Sequence, residues 1–201
     1  MPTTRTVAIY KFDELDDDAK EVARDWWRNG GLDYEWWDHI VDDAKRVGAL
    51  IGFEIDKVYF SGFYSQGDGA CFEGTYRYSS GWKAKLKAEI GGETLEEMLT
   101  LGEELQAIQR LCYYKLEASS RHSGFYYHER SMDISLDMSE CPESSYADQE
   151  PYEEIRDAFA SFAQWIYSSL EAEYEWLNSD EQVDESIRTS DYEFYENGEI
   201  A

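Results

Sequence analysis

The stretch Lys57–Tyr78, KVYFSGFYSQGDGACFEGTYRY, holds two aromatic-rich runs on either side of a Gln66-Gly67-Asp68-Gly69 break. Before the break, Val58, Phe60, Gly62 and Tyr64 alternate with Tyr59, Ser61, Phe63 and Ser65. After it, strand-favouring side chains recur through Cys71, Phe72, Thr75, Tyr76 and Tyr78. Period-2 alternation on both sides of a glycine-bearing tetrapeptide predicts a β-hairpin. Gly67 and Gly69 are expected to supply the positive φ of its turn.

Working outward, Gly52 closes a helix predicted to start near Asp33, with Trp36, Trp37, Ile40, Val41, Ala44 and Val47 at helical spacing. Before it, Asp16 to Arg28 reads as a helix that places Ala19, Val22, Ala23 and Trp26 on one face and stops at Asn29-Gly30-Gly31. The acidic cluster Asp13–Asp18 suits its N-terminus, where free N–H groups favour negative charge. Thr4 to Phe12 alternates like a first strand. Beyond the hairpin, WKAKLKAEI (82–90) alternates Trp82, Ala84, Leu86 and Ala88 with Lys83, Lys85 and Lys87, which predicts a strand bearing a lysine stripe.

Glu93 to about Ser119 is expected to be one long helix, and Gly124 to Met138 a second hairpin turning near Glu129-Arg130. Ser139–Gln149 reads as a polar loop. Pro151 then opens an amphipathic helix reaching about Leu177, Asn178-Ser179-Asp180 caps a short helix to about Arg188, and DYEFYENGE (191–199) is a candidate edge strand turning at Asn197-Gly198. The expectation is a single α+β domain over residues 1–201: a mainly antiparallel sheet built on the central hairpin and packed against several helices.

Composition narrows the function classes. The 201 residues are 42% hydrophobic and include 32 aromatics, enough for a real core despite a mean hydropathy of −0.67. The net charge is −26, from 44 acidic and 18 basic residues, so direct binding of nucleic acid is disfavoured and a basic partner is favoured. Glu140–Ala201 carries 18 acidic residues against Arg156 and Arg188 alone. Three widely spaced cysteines, Cys71, Cys112 and Cys141, form neither a disulfide framework nor a metal-ligand pair and point to a reducing cytoplasm. No apolar run is long enough for a membrane span and no signal segment is visible.

The acidic surplus matches about 44 Å of duplex DNA at one charge per roughly 1.7 Å, the size of a DNA mimic. The carboxylates best placed for this are Glu171, Glu173, Glu175, Asp180, Glu181, Asp184 and Glu185, on or beside the predicted C-terminal helices, with Tyr192 and Tyr195 as candidate interface anchors. A solvated, highly soluble surface is the bland alternative. Calcium is disfavoured because Asp13–Asp18 and Asp180–Glu185 lack the twelve-residue loop pattern. Cys71, His122, His128, Glu129, Gln66 and Asp68 are the best ingredients for a thiol hydrolase, but Cys71 sits in an apolar strand with no activating neighbour. No phosphate-binding glycine loop is present, and no cofactor or metal is expected.

FDELDDDAKEVARDWWR (12–28), YFSGFYSQGDGACFEG (59–74), HSGFYYH (122–128), WIYSSLEAEYEWLNSDEQVDESI (165–187) and the YEFYENGE tail (192–199) together resemble a group of phage and prophage proteins labelled antitoxins of toxin–antitoxin stability systems. The resemblance covers nearly the whole chain and carries no catalytic motif. It implies a mobile-element accessory protein that neutralises a toxin or a host defence complex, and the charge best fits a role of anti-CRISPR or anti-restriction type. Combined with the charge, the expected function is a non-enzymatic inhibitor of a basic nucleic-acid-handling protein, with antitoxin action second and a Cys71 hydrolase third.

Overall fold

The central stretch is a hairpin, but its first strand ends at Phe60, and residues 61–65, expected in that strand, lie with residues 66–69 in the connection. Strands β1 (Phe53–Phe60) and β2 (Ala70–Arg77) pair antiparallel, Phe53 opposite Tyr76 and Phe60 opposite Ala70, with a bulge between Ile55 and Lys57. The structure is a computed structural model that describes residues 6–141 and 151–201. β3 (Glu117–His122) and β4 (Met132–Asp137) extend the hairpin into an antiparallel sheet of order β1-β2-β3-β4. Helices α1 (Asp17–Arg28), α2 (Asp38–Ile51), α3 (Trp82–Glu89), α4 (Gly92–Leu111), α5 (Pro151–Leu177) and α6 (Asp180–Thr189) complete an α+β fold.

The chain divides into two units, a larger one of Asp38–Leu170 and a smaller one of Met1–Trp37 with Glu171–Ala201. In the larger unit one sheet face is covered: Phe53, Ile55, Phe72, Tyr76, Ala118, Met132 and Ile134 are buried, while Glu54, Lys57, Arg77, Arg121, Asp133 and Ser135 alternate outward. Phe53 stacks on Phe162 at 4.9 Å and meets Phe159 edge-on at 4.9 Å, and Phe72 stacks on Phe159 at 5.5 Å. This ring cluster joins α5 to the sheet. Gly48 lets α2 close on it, since a Cβ there would lie 3.1 Å from Phe162.

In the smaller unit, α1 and α6 enclose Phe12, Leu15, Ala19, Ala23, Trp27, Val183, Ile187 and Phe194. Both helices start on side-chain caps: Asp16 accepts from the Ala19 N–H at 2.9 Å, and Ser179 from the Gln182 N–H at 3.4 Å. The Gly198 turn forms as expected, with φ +83°. The two terminal strands, however, shrink to isolated bridges, Tyr10 with Phe194 and Phe194 with Ile200. Thr4 and Arg5, and residues 142–149 of the expected polar loop, lie outside the described residues.

Several boundaries differ from the sequence reading. WKAKLKAEI is the helix α3, not a lysine-striped strand: Ala and Lys favour helix over sheet, and Trp82 and Leu86, four apart, are the pair that is buried. Trp82 donates to Gln106 Oε1 at 2.8 Å, and its ring lies over Gly102 of α4, where any Cβ would collide. α4 stops at Leu111 because Tyr113 and Tyr114 take positive φ, 52° and 62°. The following Glu117–His122 becomes β3, so the second hairpin pairs β3 with β4 and leaves Phe125–Tyr127 in its connecting loop. α2 begins at Asp38 rather than near Asp33. On α1 the buried stripe is Ala19, Ala23 and Trp27, whereas Val22 is exposed and Trp26 only half-buried.

Candidate functional site

The nine residues singled out from sequence all fall in the smaller unit, but they separate into two kinds. On α6, Asp180 and Asp184 stand one turn apart and turn toward α1. Asp184 takes a two-pronged contact from Arg24, Nε to Oδ1 at 2.6 Å and Nη2 to Oδ2 at 2.9 Å, with both side chains 15% exposed. That carboxylate holds the Arg24 guanidinium well above the usual arginine range, so it stays charged. Asp180 receives Arg28, and Arg188 bridges Asp13 at 2.9 Å and Asp184 at 3.7 Å. Asp180 and Asp184 are therefore bound up in joining the two helices.

Glu181 and Glu185, the adjacent stripe of α6, are exposed and have no ion pair among the described residues, and Glu175 at the end of α5 is exposed as well. Glu171 and Glu173 are half-buried. Tyr192 sits edge-on to Trp26 at 4.9 Å, and Tyr192 and Tyr195 each leave more than a third of their surface in solvent. The unit as a whole carries 20 acidic and 6 basic residues, a net −14. Lys11 adds to the pattern by turning onto Asp191 at 3.0 Å and Glu193 at 3.2 Å. Lys11, Arg24, Arg28 and Arg188 thus pair with carboxylates of the same unit, and Glu181 and Glu185 keep their charge unpaired among the described residues.

The thiol-hydrolase ingredients do not converge. Cys71 is fully buried, burial pushes its thiol up to about 11, and it meets the backbone of His128 rather than the imidazole. The His128 ring caps the turn Glu129–Ser131, accepting from the Arg130 N–H at 3.2 Å, with Glu129 Oε2 2.8 Å from the same nitrogen. His122 lies between Tyr59 and Tyr127, at 5.1 and 5.0 Å. Asp68 accepts the Tyr64 and Ser65 N–H groups at 2.9 and 2.6 Å and closes the hairpin tip. Of the two tip glycines, Gly67 has φ +96° as expected. Gly69 does not take positive φ; its lack of a side chain admits the His128 backbone, 3.1 Å from where a Cβ would be.

Of Tyr126 and Tyr127, which the sequence also offers as exposed aromatics, Tyr126 is 60% exposed and Tyr127 half-buried, and Phe125 beside them is 88% exposed. Among the described residues no three His, Cys, Asp or Glu side chains are grouped to hold a metal ion, and no helix is long and apolar enough to cross a membrane.

Residues 36–180 match the family model of a domain of unknown function, DUF8835. The chain belongs to the DUF8835 family. No curated protein matches it, and no solved structure does. The DUF8835 match takes in the whole larger unit, together with Glu171, Glu173, Glu175 and Asp180. It ends before Glu181, Asp184, Glu185, Tyr192 and Tyr195.

Proposed function

We propose that the chain is a non-enzymatic inhibitor that occupies the nucleic-acid groove of a basic protein, with Glu175, Glu181 and Glu185 standing in for phosphates. The observation that carries this reading is the division of labour on α6, where Asp184 and the exposed Asp180 are ion-paired by Arg24, Arg28 and Arg188 while Glu181 and Glu185 are exposed with no ion pair among the described residues. Glu181 and Glu185 are spaced about 6 Å along the helix axis, comparable with two base-pair steps of roughly 3.4 Å each. Fixed spacing separates a mimic from a merely acidic surface. The buried, high-pKa thiol of Cys71 favours binding over hydrolysis. With the resemblance to phage proteins, the partner of choice is a host defence complex of the cytoplasm that handles nucleic acid.

Affinity capture from a host lysate, followed by salt titration and DNA competition, tests this. Binding to a basic protein should weaken steeply with salt, be displaced by duplex DNA, and weaken in the double variant Glu181→Lys/Glu185→Lys. Salt-insensitive capture, or capture of a small toxin encoded beside the gene, would replace this reading with another.

A further inference from the structure

α4 and α5 leave a groove between them in the larger unit. A cavity of about 470 Å³ is lined by Met98 and Leu101 of α4 and by Gln164 and Trp165 of α5. A second, of about 690 Å³, is lined by Ala107, Ile108 and Leu111 against Ala158 and Asp157. The two share Ser161, and ascending α4 from one to the other descends α5, so the helices run antiparallel along one trough. From Glu97 to Leu111 the trough spans about 21 Å, four helical turns. Small residues keep it open: Ala107, Ala158, Ala160 and Ser161 stand where longer side chains would fill the space. Its floor is apolar, and Leu111 remains 39% exposed over it.

The rim has one sign of charge. Glu97 and Glu129 border the first cavity, and Glu104, Glu154 and Asp157 the second, whereas among the described residues no Lys, Arg or His lines either. Arg156 lies nearby, engaged by Glu153 and Asp157, and Glu129 meets His128 at 2.8 Å and Arg130 at 3.9 Å, so Glu97, Glu104 and Glu154 are the rim carboxylates without an ion pair among the described residues. An apolar floor of four-turn length with carboxylates on both walls matches one chemistry, a helix that presents an apolar stripe flanked by Lys or Arg. An acidic or neutral helix would desolvate the rim carboxylates without pairing them. A second copy of this chain, itself at −26, would meet like charge.

We propose that the α4–α5 groove is a docking site for a cationic amphipathic helix of a protein partner. This rests on the premise of a basic partner made above, but on none of the same residues. The test uses the full chain and a synthetic Leu/Lys amphipathic peptide of about 18 residues, with a Leu/Glu peptide of the same pattern as control, read by fluorescence anisotropy. The Leu/Lys peptide should bind and the Leu/Glu peptide should not. Ala107→Trp, which fills the groove without altering charge at an exposed position, should weaken binding by about tenfold or more. Leu111→Ser, also at an exposed position, should weaken it in the same direction, so that the result does not depend on one variant folding. Glu181→Lys/Glu185→Lys should leave peptide binding intact even where it abolishes capture of the host partner, which keeps the two readings separable.

Absence of peptide binding overturns the proposal. So does equal binding by Ala107→Trp and the parent chain, or an equal loss on reversing charge in α6, either of which marks a diffuse electrostatic effect. A concentration-dependent dimer in sedimentation that Ala107→Trp dissociates would assign the groove to a second copy and overturn it as well.

Discussion

The two units hold themselves together differently. The larger relies on rings: Phe53, Phe72, Phe159 and Phe162 are each at most 1% exposed and interlock across sheet and helix. The smaller has a modest core around Phe12, Trp27 and Phe194 and adds a lattice of ion pairs centred on Arg24 and Asp184. Their charge differs in proportion. The smaller unit carries −14 on 68 residues and the larger −12 on 133, more than twice the density in the smaller. The family match encloses the larger unit and leaves nearly all of α1 and α6 outside. The matched residues therefore hold the ring-packed sheet with α4 and α5, and end at the first residue of α6.

Phe162→Ala strikes the larger unit where it is strongest. Deleting a fully buried ring that stacks on Phe53 and contacts Phe72 and Trp165 should cost about 3–5 kcal/mol in denaturant unfolding. Hydrogen exchange should quicken in β1 and β2 while α1 and α6 keep their protection. Equal loss of protection in α1 and α6 would break the comparison, because the two units would then unfold as the single domain expected from the sequence.

Asp184→Ala is the matching test of the smaller unit. It leaves Arg24 charged and mostly buried, 5.9 Å from the centre of the Phe12 ring, without its two-pronged partner. The expected cost is about 2 kcal/mol, below that of Phe162→Ala because Glu21 and Asp180 can take up part of the guanidinium. Replacing Arg24 and Asp184 together by Met and Leu should recover most of the loss, and failure to recover would mean that the pair is not what joins α1 to α6.

How much of this was readable beforehand follows from what each segment's pattern depends on. The central hairpin, α1, α5 and α6 were legible because their signals are local: alternation about Gly67, the Asp16 and Ser179 caps, Pro151 at a first turn. β3 was not, because Glu-Ala-Ser-Ser-Arg-His has little intrinsic strand preference and is extended by pairing with β2, which ends 40 positions before it, and β4, which starts 10 positions after it. WKAKLKAEI misled because the seven residues 82–88, alternating apolar with lysine, satisfy a period of 2, while the Trp82–Leu86 pair also satisfies 3.6. The acidic stripe was legible as composition, and Arg188 stands at i+4 from Asp184, but Arg24 and Arg28, which meet Asp184 and Asp180, lie more than 150 positions away and no local pattern connects them.

Alkali should separate the units next, since all three cysteines lie in the larger one. Burial raises the thiols of Cys71 and Cys112 from 9.0 to about 11. The folded chain thus holds these two thiols protonated where the unfolded chain releases them. The stability this contributes is complete below about pH 9 and is lost as pH rises toward 11. Denaturant midpoints measured across that window should fall for the parent chain and fall less steeply for Cys71→Ala, compared at equal starting stability. A slope unchanged by the substitution would remove Cys71 as its source.

The smallest effect on stability is expected where the proposed function is placed. Glu181→Ala/Glu185→Ala removes two exposed carboxylates that have no ion pair among the described residues, so unfolding should shift by no more than about 0.5 kcal/mol in either direction. The change at neighbouring Asp184, by contrast, costs stability because its partner is internal. If the outward stripe serves a partner, the same double variant should reduce partner affinity and flatten its salt dependence, while Asp184→Ala should act on affinity only through the loss of folded protein. A double variant that destabilises the chain as much as Asp184→Ala would mean that both stripes are structural. The distinction between an inward seam and an outward face on α6, on which the functional reading depends, would then fail.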